Sequence, residues 1–144
     1  MCIGNMYFLF HHMIELVEKK TKKEVKAEPA LAYVRSAINY INIKYCEPIF
    51  VHHIANHCGV DRAYLSKIFK HATGYTLQEY LIQFRIKRAK QLLEETDVSI
   101  QHVSFSVGYN DAFTFSKVFK RQTGYSPSDW RKQKKNTLNK IKDN

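Results

Sequence analysis

"LSKIFKHATGY" runs from Leu65 to Tyr75, and "FSKVFKRQTGY" runs from Phe115 to Tyr125. Seven of the eleven aligned positions are identical, and Gly74 and Gly124 stand 50 residues apart. Apolar residues recur at helical spacing in both copies. Leu65, Ile68 and Phe69 form one stripe, and Phe115, Val118 and Phe119 form the other. The opposite face carries Arg62, Ala63, Ser66, Lys67 and Lys70 in the first copy. In the second it carries Ala112, Phe113, Ser116, Lys117, Lys120 and Arg121. A helix with a basic, short-chained outer face has the width and charge to enter a DNA major groove. A solvated helix surface explains one such face well. The same Ser-Lys pair and trailing Lys written twice argue for a shared task.

The repeated unit extends upstream of the quoted stretch. Ile54-Ala55 followed by Gly59-Val60 matches Val103-Ser104 followed by Gly108-Tyr109. A small residue, three others and then a glycine suit a helix-turn-helix. The small side chain lets the second helix cross closely, and the glycine accepts a positive φ at the turn. Asp61 and Asn110 are the expected caps of the second helices.

Between the copies, Thr76 and Glu79 in "TLQE" form a capping box. They open a helix over about 76–95 with Leu77, Leu81, Phe84, Ala89, Leu92 and Leu93 inward. About 20 residues span about 30 Å, against about 34 Å between successive major grooves on one face of DNA. The expectation is two recognition helices in adjacent major grooves, linked by a rigid strut.

Elsewhere the pattern predicts helices over 7–20, from Pro29 to about Lys44, over 51–58, 61–72, 99–107 and 110–121. "SPSDW" supplies a Ser cap and a Pro at the first helical position, opening a last short helix. The Lys-rich tail after Trp130 is expected to fray. Strand-like alternation is scarce, so the fold class is all-α: two helix-turn-helix subdomains joined by a long connecting helix. The expected divisions are 1–28, an N-terminal helix and charged linker; 29–94, the first subdomain with the connecting helix; 95–133, the second; and 134–144, a basic tail.

The chain has 144 residues, 23 Lys and Arg against 13 Asp and Glu, and a net charge of +10. That balance calls for a polyanionic partner, nucleic acid before an acidic membrane surface. No apolar run approaches the roughly 20 residues of a membrane span. Three cysteines, Cys2, Cys46 and Cys58, fit a reducing compartment better than a disulfide framework. The location expected is the cytoplasm, at the nucleoid.

No catalytic constellation is present: there is no phosphate-binding glycine loop, no GxSxG and no pair of carboxylates in apolar surroundings. Asp97, Asp111 and Asp129 sit at turns or helix starts, as caps do. No cofactor and no metal are expected. "VHHIANHC" keeps an alternative open, a metal- or redox-sensing module using His53, His57 and Cys58. A nonspecific architectural DNA binder is a further alternative, sharing the charge but needing no two differently decorated faces. Tyr80 and Trp130, at matching places after the two Gly-Tyr turns, are expected to anchor the core.

Over about residues 30–133 the chain resembles the DNA-binding region of AraC/XylS-type bacterial transcription regulators. The residues that carry the resemblance are "IANHCGVDRAYLSKIFKHATGYTLQEYLIQFRIKRAKQLLEETDVSI" and "VSFSVGYNDAFTFSKVFKRQTGYSPSDWRK". The resemblance implies seven helices, two helix-turn-helix motifs and asymmetric promoter sites, commonly with activation through RNA polymerase. Carried onto this chain, base edges fall to Arg62, Ala63, Ser66 and Lys67 in the first reader. In the second they fall to Ala112, Phe113, Ser116 and Lys117. Phosphate contacts fall to Lys70, Thr73, Lys120 and Arg121. Lys67 and Lys117 suit guanine O6/N7, and Phe113 suits a thymine methyl. Phe113 is bulky where members usually have a small or polar residue, and Ser104 stands where Ala is more usual. Members often carry a sensor domain ahead of this region. The favoured expectation is therefore the C-terminal piece of a larger regulator, with a homodimer possible through a missing or N-terminal segment.

Overall fold

The computed structural model describes residues 28–142. The expected helix over 7–20 lies outside them. Among the described residues there are seven helices and no strand. They are α1 (Glu28–Lys44), α2 (Val51–Cys58), α3 (Arg62–Thr73), α4 (Leu77–Glu95), α5 (Ile100–Ser106), α6 (Ala112–Thr123) and α7 (Pro127–Lys142). Two compact units result: residues 28–43 with 50–79, and residues 44–49 with 80–142.

The first unit is built on α1, whose stripe Val34, Ala37, Ile38 and Ile41 is buried. Ile54 and Ala55 of α2, Leu65 and Phe69 of α3, and Leu77 complete the core. The Cys58 thiol points to the Tyr33 carbonyl (3.7 Å), and the Tyr64 ring meets Tyr33 edge-on at 6.3 Å. The α2–α3 turn needs a left-handed residue, and Gly59 supplies it at φ 71°. There the Val60 N–H reaches the Ala55 carbonyl and the Gly59 N–H the Asn56 carbonyl, both at 3.2 Å. These bonds satisfy the last carbonyls of α2.

The second unit packs Ile86, Ala89 and Leu93 of α4 against Val103 of α5, Val107, and Phe115 and Phe119 of α6. Its one buried polar side chain is Ser104, which donates to the Gln101 carbonyl at 2.7 Å. Ser in place of Ala thus costs no unsatisfied group. Trp130 packs edge-on against Phe119 (5.9 Å) and donates from Nε1 to Glu94 (3.2 Å). Tyr80 is buried. Both serve as core anchors.

Three local expectations are corrected. The cap of α6 is Asp111, not Asn110: the Asp111 carboxylate accepts from the Thr114 N–H (2.7 Å) and hydroxyl (2.9 Å). The second turn holds one residue more than the first, so the cap falls one position later. Asp97 is no cap; Ser99 caps α5, accepting from the His102 N–H at 3.1 Å, and Asp97 pairs with Lys135. The last helix is not short. α7 continues to Lys142, and its first half is tied to the rest of the unit by basic side chains. Arg131 donates to the Leu93 carbonyl (3.2 Å), and Lys134 approaches Glu94 at 3.9 Å.

Candidate nucleic-acid interface

Each reading helix is clamped at both ends by side chains from its own sequence. At the start of α3, the Asp61 carboxylate accepts from the N–H groups of Ala63 (3.0 Å) and Tyr64 (3.3 Å). At the end, the Gly74 N–H donates to Lys70 O at 2.8 Å, with Gly74 at φ 79°. Thr73 braces this end. Its hydroxyl lies 2.8 Å from the Phe69 carbonyl and 3.1 Å from the Tyr75 carbonyl, and it accepts from the Tyr75 N–H at 3.2 Å. α6 ends alike. Gly124 sits at φ 82°, and the Thr123 hydroxyl lies 2.8 Å from the Phe119 carbonyl and accepts from the Tyr125 N–H at 3.2 Å.

These clamps and the buried Leu65, Phe69, Phe115 and Phe119 fix which faces turn outward. On α3, Arg62, Ala63, Lys67 and Lys70 are exposed and Ser66 is half-buried. On α6, Phe113, Lys117, Lys120 and Arg121 are exposed, while Ala112 and Ser116 are half-buried. Thr73, expected at a phosphate, has its hydroxyl bonded within the helix end. A threonine near a helix terminus reads either way in sequence, and only the bonds distinguish the two.

Beside the α3 face lies an open groove of about 650 Å³, bordered by Ser66, Lys67, Lys70, His71, Thr76 and Gln78. Its far wall is the start of α4, where the capping box forms as expected. The Thr76 N–H donates to Glu79 (2.8 Å), and the Glu79 N–H donates to Thr76 Oγ1 (3.1 Å). These bonds hold the Glu79 carboxyl below its ordinary range.

On α6 the most exposed large apolar group of the second reader is Phe113, with 70% of its surface open. The Lys117 ammonium stands 4.1 Å from the centroid of its ring. At the preceding cap, Asp111 is held below the ordinary aspartate range, first by the Thr114 N–H and then by the Thr114 hydroxyl.

Sequence reasoning missed Arg85. From α4 its guanidinium donates to the Tyr45 carbonyl (2.8 Å) and the Glu47 carbonyl (2.9 Å), and it stands 5.5 Å from the Tyr109 ring centroid. Burial lowers its pKa and raises that of Tyr109. An arginine serving backbone carbonyls some forty residues away leaves no local mark in a sequence.

The histidine and cysteine group does not converge. His53 Nδ1 accepts from the Phe50 N–H at 3.2 Å, His57 packs on the Tyr40 ring at 4.8 Å, and Cys58 faces Tyr33. Among the described residues no three His, Cys, Asp or Glu side chains come together as a metal site. No helix among them is long and apolar enough to cross a membrane.

Comparison with known proteins bears directly on these two units. A family model described as a helix-turn-helix domain matches residues 54–133. The Msm operon regulatory protein of Streptococcus mutans is 37% identical over 134 residues, covering 93% of this chain and 48% of its own length. The chain thus spans about half of that relative. A solved structure of an AraC-type regulator from Chromobacterium violaceum superposes with a TM-score of 0.67 at 27% identity, covering 72% of this chain and 92% of that one. The DNA-binding domain of AdpA, a global transcriptional factor solved with a target DNA, gives a TM-score of 0.67 at 25% identity, covering 69% and 90%. With the motif, the fold and these likenesses in agreement, the chain belongs to the AraC/XylS-type family of helix-turn-helix transcription regulators.

Proposed function

We propose that this chain binds double-stranded promoter DNA sequence-specifically, with α3 and α6 each entering a major groove by its exposed basic face. The observation that carries this is the outward Ser-Lys-x-x-Lys pattern on two helices with the same buried scaffold and the same end clamps. Base edges fall to Arg62, Ala63, Ser66 and Lys67 on α3, and to Ala112, Phe113, Ser116 and Lys117 on α6. Lys70, Lys120 and Arg121 sit one turn further along, where phosphates run beside the groove; Thr73 supports that turn from within. The net charge of +10 supplies the counterion-release part of affinity. The setting of this activity is the cytoplasm, with RNA polymerase as the protein partner and a second copy as a possible one.

Selection of bound duplexes from a random pool tests this reading. A bipartite site is expected. If the two readers use neighbouring grooves, the half-sites fall about 10 base pairs apart. Lys67→Ala and Lys117→Ala should each erode discrimination between the selected site and bulk DNA. Lys70→Ala should weaken all duplexes alike and reduce the salt slope by about one. Equal affinity for the selected site and bulk DNA would identify a nonspecific binder instead.

A further inference from the structure

We propose that Phe113 and Lys117 work as one composite reader of a thymine beside a guanine, a step that the first reader does not recognise. This rests on the DNA-binding role above and deepens it. Phe113 and Lys117 are four residues apart and lie on the same face of α6, with Cβ atoms about 5–6 Å apart. The Asp111 bonds to Thr114 fix the turn that carries Phe113. The Lys117 ammonium is already seated on the ring, 4.1 Å from its centroid. A cation held on an aromatic face gives up fewer rotamers on docking. The ring itself is 70% exposed and contributes no hydrogen bond. The apolar feature of the major groove that it matches is the thymine C5-methyl. The three donors of Lys117 match the paired acceptors of guanine, O6 and N7. Two groups that close together on one helix face reach bases one or two steps apart, at about 3.4 Å per step.

The first reader lacks this device. Ala63 stands where Phe113 does, and Arg62 stands where Ala112 does. Lys67 therefore has no ring at i−4; the ring at i−3, Tyr64, packs edge-on against Tyr33 (6.3 Å), and a second cation precedes it. The two half-sites should share the guanine read by Lys67 and Lys117 and differ at the position beside it.

The test replaces thymines of the selected site one at a time by deoxyuridine, which removes only the methyl group. For the wild-type chain, one replacement in the half-site read by α6 should weaken binding about fourfold. Phe113→Ala should bind the unmodified site correspondingly less well and ignore that replacement. Ala63→Phe, at an exposed position, should gain methyl sensitivity in the other half-site once a thymine is placed beside its guanine. A circular dichroism spectrum and melting curve show that each variant folds. Equal methyl sensitivity in wild type and Phe113→Ala overturns the proposal, as does a selected half-site with no thymine there. Failure of the DNA-binding role itself looks different: the wild-type chain then fails to distinguish any selected site from bulk duplex.

Discussion

The two reading helices are held alike and decorated differently. Gly74 and Gly124 close them at φ 79° and 82°. Thr73 and Thr123 reach the carbonyls of Phe69 and Phe119 at the same 2.8 Å. Leu65 matches Phe115 in burial, and Phe69 matches Phe119. Beyond the conservative core exchanges Leu65/Phe115 and Ile68/Val118 and the outer pairs His71/Arg121 and Ala72/Gln122, two differences stand out. One is the outward first turn, Arg62-Ala63-Tyr64 against Ala112-Phe113-Thr114. The other is what presses on the turn from behind. A Cβ added at Gly59 would meet nothing within 4 Å, whereas one at Gly108 would meet Tyr45 O at 2.6 Å and Arg85 Nη2 at 2.9 Å. Duplication here preserves the clamp and releases the reading edge, so a new sequence preference does not require a new fold.

The largest test of this equivalence is truncation of the paired aromatics. Phe69→Ala and Phe119→Ala should each cost about 3–5 kcal/mol, measured by urea unfolding. A strongly unequal pair would mean that the two scaffolds are not alike. The turn glycines should then split where the aromatics agree. Gly59→Ala should cost about 1–2 kcal/mol, from placing a Cβ in the left-handed region. Gly108→Ala should cost about 1–3 kcal/mol more, because backbone as well as side chain must shift. Equal losses would show the space behind Gly108 to be soft. Next come the clasps: Thr73→Val and Thr123→Val should each lose about 1–2 kcal/mol, through the bond lost and the Tyr75 or Tyr125 N–H left unpaired. Here the two units should agree.

The smallest effect concerns pH and the second reader. The Asp111 carboxyl is lowered from its ordinary value of 3.8 by the Thr114 N–H and hydroxyl. Its contribution to folding is therefore fully present above that value and is lost as pH falls through the lowered one. The stability gap between wild type and Asp111→Asn should be constant from pH 7 to about 5 and shrink toward pH 3. A gap that persists at pH 3 would assign the cap to geometry rather than charge.

Much of this was legible in the chain because it is written twice. The second helices, the capping box at Thr76 and the Ser-Pro start of α7 follow from spacing and local chemistry. Sequence reading names Asp111 at a helix start, as caps are, but gives the cap of the second reader to Asn110, because the offset between copies changes from 49 at Gly59 and Gly108 to 50 at Gly74 and Gly124. The extra residue falls inside the turn. The length of α7 was hidden by composition. "RKQKKNTLNKIK" looks like a solvated end, yet Lys134 and Lys135 are tied to Glu94 and Asp97, partners far away in sequence. Thr73 could not be divided between phosphate and helix end without its bonds, and Arg85 acts on carbonyls that every residue type carries.

The Arg85 clasp has a practical consequence for anyone who divides this protein. Residues 44–49, the end of α1 and the loop ahead of α2, form part of the wall of the unit that begins at residue 80. A fragment starting there would carry an arginine with its two carbonyl acceptors removed and Tyr109 stripped of a neighbour. Such a piece would be judged unstable for a reason belonging to the scissors rather than to the fold.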